Sequence, residues 1–146
     1  MSQKPSLTIR RHIKAPPARI FAAWTEPAQL ARWFGSTGSE VKSAALDARA
    51  GHRYNIVFSA ADGEEHGVGG IYREVVPNKK LVFTWAWRST PERESLVTLT
   101  FEPESGGTLF TLLHEQFFDE AARDRHREGW GGFIEKLASY AEAMQP

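Results

Sequence analysis

Apolar Leu7, Ile9 and Ile13 alternate with Thr8, Arg10 and His12, the period of two that marks a half-buried strand. Arg11 falls on the apolar side of that alternation, where an arginine snorkels or pairs with an acid more often than it binds substrate. Asp47 and Glu74, both in predicted strands, are the expected partners. Pro16 and Pro17 end the strand and suit the first turn of a helix, in which Ile20, Phe21 and Trp24 recur at helical spacing. A second short helix starts at Pro27, after Thr25 and Glu26, carries Leu30, Trp33 and Phe34 as its stripe, and stops at Gly35. The two helices are expected to form a V-shaped bracket.

From Glu40 to Glu115 the pattern is strand and turn. Val41–Ala48 is followed by Gly51, and Tyr54, Ile56 and Phe58 alternate with polar or small residues before the turn Ala61-Asp62-Gly63, which predicts a hairpin. Val68–Val76 is a strand interrupted at Gly69-Gly70, the signature of a bulge or of a close backbone approach. After the Pro77-Asn78 turn, Leu81, Phe83, Trp85 and Trp87 share one face, as do Val97, Leu99 and Phe101, and then Phe110, Leu112 and His114 of the strand Thr108–Glu115.

The period then changes. A helix is predicted from Phe118 or Asp119 to near Met144, with Asp119 as cap and Glu120 suited to the positive end of the dipole. Trp130, Phe133, Ile134, Leu137, Tyr140 and Ala141 form one stripe. Gly129, Gly131 and Gly132 interrupt it at about 1 kcal/mol each relative to alanine, and are expected to let Trp130 and the helix backbone approach the sheet or a ligand closely. The order β, α, α, six β, α predicts one sheet that must curl around the last helix to cover its stripe. Such a grip tends to leave a cavity.

Length and charge narrow the function. At 146 residues the chain suits one domain, with no additional N-terminal domain expected. Its 18 basic and 18 acidic residues form no block of like charge, which argues against nucleic acid or an anionic membrane as partner. Arg123, Arg125 and Arg127, interleaved with Asp124 and Glu128, read as a solvated helix face. Cysteine is absent, which leaves the compartment open. Met1 to Lys14 holds no long apolar run and nothing later approaches the roughly 18 apolar residues of a membrane span, so a cytoplasmic protein is expected. Histidines 12, 52, 66, 114 and 126 show no zinc-binding spacing, and phosphate-cradling, dinucleotide and nucleophile-elbow motifs are missing, so neither metal nor cofactor is expected.

One set of residues has a familiar order: Arg11 with Ala15-Pro16, Phe21, Trp24-Thr25, Pro27, Trp33, Asp47, Gly51, Gly70 with Tyr72, Leu81-Val82-Phe83-Thr84-Trp85, His114 and Gly129-Trp130. This pattern, spanning about residues 6 to 144, resembles the activator of heat-shock-protein ATPase homologue-like (AHSA-like) family of the START-related, birch-pollen-allergen-like SRPBCC superfamily. The resemblance implies an α+β helix-grip fold, a seven-stranded curved antiparallel sheet wrapped around a long C-terminal helix and enclosing an apolar cavity. The chain departs from the family where Ala50-Gly51-His52 replaces a frequent Pro-Gly-Gly turn.

Candidate chemistry centres on that cavity. His114 faces the helix, and its buried imidazole must find a partner. It either hydrogen-bonds backbone or a carboxylate to fix the strand-to-helix corner, or contacts a ligand or acts as a general base. Trp33, Tyr54, Tyr72, Phe83, Trp85, Phe110 and Trp130 either fill the core or wall a cleft for flat apolar guests. The reading put first is noncatalytic binding of a hydrophobic or aromatic small molecule, oriented by His114 and Tyr72. A polyketide cyclase or aromatase, with His114 as base and Tyr54 or Tyr72 as proton donor, is the alternative that the superfamily permits. A chaperone partner rests on the family's name and ranks lowest, and a homodimer is left open.

Overall fold

The computed structural model describes residues 4–35 and 38–143. Every alternating run becomes a strand: β1 (Leu7–Ile13), β2 (Glu40–Leu46), β3 (Arg53–Ser59), β4 (Glu65–Val76), β5 (Lys80–Trp87), β6 (Ser95–Glu104) and β7 (Gly107–Glu115). The helical periods give α1 (Pro17–Thr25), α2 (Pro27–Trp33) and α3 (Glu120–Ala143). Proline opens both short helices, where a missing N–H costs nothing. Asp119 caps α3 as expected, its carboxylate accepting the Ala122 N–H at 2.8 Å. The expected end of that helix at Met144 lies outside the described residues.

The seven strands form one antiparallel sheet in the order β1-β7-β6-β5-β4-β3-β2. The α1–α2 pair therefore links the two edges of the sheet. The sheet curves around α3 in the helix-grip arrangement. Its inward side chains from β3, β5, β6 and β7 share one core with Trp130, Phe133, Ile134 and Leu137 of α3. Among the described residues no helix is long and apolar enough to cross a membrane.

Three local expectations change. Arg11 does not meet Asp47 or Glu74; its guanidinium grips Glu135 of α3 at 2.9 and 3.1 Å and also donates to the His12 carbonyl. The reason is topological. β1 is the sheet edge beside α3, whereas Asp47 follows β2 at the other edge and instead meets Arg49 and His52. The Gly69-Gly70 pair is a close approach: a Cβ on Gly70 would collide with the Thr84 carbonyl oxygen. The bulge lies farther along, at the register shift between Tyr72 and Glu74. The α3 glycines are the third correction. A Cβ built on Gly129, Gly131 or Gly132 meets nothing within 4 Å, so no tight packing against the sheet requires them.

Candidate functional site at the mouth of the grip

The interior of the grip is closed. Trp24, carried by α1, lies 4.7 Å from Trp33, 6.2 Å from Phe83, 6.1 Å from Phe110 and 6.1 Å from Trp130, centroid to centroid. It stoppers the space that curvature would otherwise leave. What remains, among Trp24, Phe34, Tyr54, Tyr72, Phe83 and Trp85, is about 10 Å³, room for one water at most. Among the described residues the guest-sized internal cavity expected from sequence is absent from this place, because the helix bracket inserts the Trp24 ring into the grip.

This filling decides the place of most predicted site residues. Trp33 donates its indole N–H to the Ala23 carbonyl at 3.0 Å, and the Tyr54 hydroxyl donates to the Thr84 carbonyl at 2.6 Å. Tyr72, Phe83 and Phe110 pack among the other rings. Burial raises the Tyr54 and Tyr72 phenols above their ordinary range, which makes them poor proton donors.

His114 is fully buried, and its partners differ from the backbone or carboxylate expected. Trp130 donates its N–H to Nδ1 at 2.9 Å, so Nδ1 is unprotonated and the proton sits on Nε2. Nε2 then donates to the Ser95 hydroxyl at 2.7 Å, and that hydroxyl donates to the Trp85 carbonyl at 3.1 Å. Burial, followed by repulsion from His126, holds the imidazole pKa well below its usual value. A neutral ring with both nitrogens engaged fixes a corner and leaves no lone pair for general-base work.

Space opens instead at one end of the grip. There β3 and β5 finish, β4 begins, and the β5–β6 loop faces the N-terminal half of α3. The cleft holds about 460 Å³, within the usual range for small-molecule sites. Phe58, Trp85, Trp87, Trp130 and Phe133 supply apolar walls, while His66, Ser89, Thr90, Arg93, Arg125 and His126 supply polar groups. Gly129 lies in the wall without a side chain. Of the eight predicted site residues, Trp85 and Trp130 line this cleft; the other six do not. The Trp85 N–H is buried without a hydrogen-bond partner.

Sequence reasoning missed His126, Arg93 and Arg125. The signal for His126 was present: it stands four residues before Trp130 and four after Ala122, on an extension of the buried stripe. Its Nδ1–H donates to the Ala122 carbonyl at 2.7 Å, and its Nε2 accepts the Trp87 N–H at 2.8 Å. Burial first and Arg125 next lower its pKa, against the opposing Ala122 bond, so it too is neutral. Arg125 belongs to the cleft as well as to the exposed helix face; Arg127 is exposed as the solvated reading expects, and Arg123 is half-buried and paired with Asp124 at 2.8 Å. Two other hollows, of about 600 Å³ between α2 and α3 and about 440 Å³ on the outer sheet face, carry two aromatic side chains each, Trp33 with Tyr140 and Tyr54 with Trp87, against the five at the mouth. Among the described residues no cluster of three His, Cys, Asp or Glu is placed to hold a metal ion.

A curved sheet gripping a helix, with an open ring-lined cleft at one end, defines a ligand-binding class of fold. Residues 14–142 match the family model described as Activator of Hsp90 ATPase homolog 1-like protein, and the chain belongs to that family, AHSA1. A solved protein from Chromobacterium violaceum is similar at 28% identity and TM-score 0.85, covering 94% of this chain and 96% of its own. The AHSA1 protein from Silicibacter pomeroyi is 30% identical, with TM-score 0.82 and coverage of 92% and 96%. A protein from Rhizobium leguminosarum is 30% identical, with TM-score 0.81 and coverage of 97% and 96%. No curated protein sequence matches.

Proposed function

We propose that the protein binds a hydrophobic or aromatic small molecule noncatalytically, at the mouth of the grip rather than inside it. The observation that carries this reading is the open cleft of about 460 Å³ walled by Trp85, Trp87 and Trp130. At about 25 cal/mol per Å², a guest that loses roughly 200 Å² of apolar surface gains about 5 kcal/mol before ordering costs. A noncatalytic reading is supported by the occupied nitrogens of His114 and His126, each of which accepts a tryptophan N–H.

Tryptophan-fluorescence titration and thermal-shift screening with flavonoids, aromatic polyketides and lipids test it. Binding is expected for at least one aromatic class. The Gly129→Leu variant should abolish it while the fold is retained, since a side chain there starts in open space and grows into the cleft. Absence of any binder, or binding indifferent to Gly129→Leu, would overturn the reading.

A further inference from the structure

The charge of the cleft is one-sided in a chain that is balanced. The sequence carries 18 acidic and 18 basic residues, yet no Asp or Glu lines the cleft, and two arginines do. Neighbouring arginines are neutralised: Arg88 meets Glu65 at 3.3 Å and Arg123 meets Asp124 at 2.8 Å. The cleft pair is different. Arg125 makes no salt bridge among the described residues, and Arg93 has Glu92 only at 3.9 Å, beyond hydrogen-bond reach.

Phe118 accounts for how Arg93 is held. It is 58% exposed, an unusual position for a phenylalanine, and the Arg93 guanidinium lies 3.9 Å over its ring. A ring face attracts the cation without consuming any of its five N–H donors. Arg93 and Arg125 also border a smaller recess of about 60 Å³ that continues from the cleft past Trp85, Trp87 and His126. The histidine is occupied by the Trp87 N–H, so the arginines supply the positive charge here.

We infer that the cleft selects aromatic anions, with Arg93 and Arg125 receiving the carboxylate, sulfonate or phosphate of a guest whose rings lie against Trp87 and Trp130. This rests on the small-molecule reading and adds the chemical class of the guest. A planar guanidinium offers paired donors that match such groups, and the aromatic wall beside it holds the rings that carry them.

The test uses matched pairs in which only the charge differs: 2-naphthoate against 2-naphthamide, and anthraquinone-2-carboxylate against its amide. Each is titrated against the whole protein by calorimetry and tryptophan fluorescence. The acid should bind about tenfold tighter than the amide at low ionic strength. That preference should shrink in about 1 M salt, where charges are screened within about 3 Å. The double variant Arg93→Gln, Arg125→Gln, changed at two exposed positions, should bring the pair to parity by weakening the acid about tenfold. Equal affinity for acid and amide in the unaltered protein, or a preference that survives the double variant, would overturn the inference while the small-molecule reading stands. Failure of every acid and amide to bind would overturn both.

Discussion

Trp24 and Trp87 stand in one continuous set of ring contacts, and only Trp87 has space beside it. Around Trp24, regular elements close in from three directions: α1 carries it, β5 and β7 bring Phe83 and Phe110, and α3 brings Trp130. Around Trp87 two directions are filled, by Phe58 and His66 on one side and by His126 of α3 on another. The third is a loop. An aromatic face therefore becomes a wall or a filling according to whether a further element arrives to cover it, whatever the chemistry of the ring.

Substitutions can break this contrast. The largest effect is expected in the closed interior: Phe110→Ala removes a fully buried ring and should cost about 3–5 kcal/mol in urea unfolding. His114→Phe comes next, since it strands the buried Trp130 N–H without an acceptor, for a loss of about 1–3 kcal/mol. Affinity for any guest of the cleft should stay unchanged, because His114 lies behind Trp85 and Trp130 rather than in the wall. A loss of binding with stability intact would instead restore a functional role for that histidine.

Acid separates the regions more gently. His114 and His126 both have folded pKa values pushed below the ordinary imidazole range, chiefly by burial. Below about pH 6.5 the unfolded chain takes up protons that the folded one refuses, so their contribution is complete above that pH and is lost as pH falls towards the depressed values. Each histidine can steepen the decline by at most about 1.4 kcal/mol per pH unit, the limit for one proton. Stability curves in which His114→Phe kept the full slope would remove the interior histidine from this account. The smallest change is a gain: Gly131→Ala should stabilise by about 0.5–1 kcal/mol with guest binding untouched, since its Cβ meets open space and Gly131 is not in the cleft wall.

Much of the architecture was legible because periods of two and of three to four residues encode which side of an element is apolar. β3, β5, β6, β7 and the α3 stripe follow directly from that, as does the cap at Asp119. Whether an apolar face is covered is set by elements distant in sequence, and alternation carries no record of it. Trp24 looked like one more stripe residue of a short helix, yet it determines that the interior is solid. Arg11 shows the same limit: its place on an apolar face was visible, but the choice of Glu135 over Asp47 depends on which sheet edge lies beside α3. Arg93 and Arg125 were hidden for a related reason, since one sits in a loop and the other in a charge-laced helical segment, and only the fold brings them to the same rim.

Helices usually fray from their tips. α3 carries Gly129, Gly131 and Gly132 near its middle, so its softest turn lies at the centre of the span, next to the mouth. Amide protons around those glycines should exchange with solvent sooner than those of Leu137 or Ala138 farther along. A guest seated against Gly129 would slow that exchange, and the helix backbone would then register occupancy without any large movement.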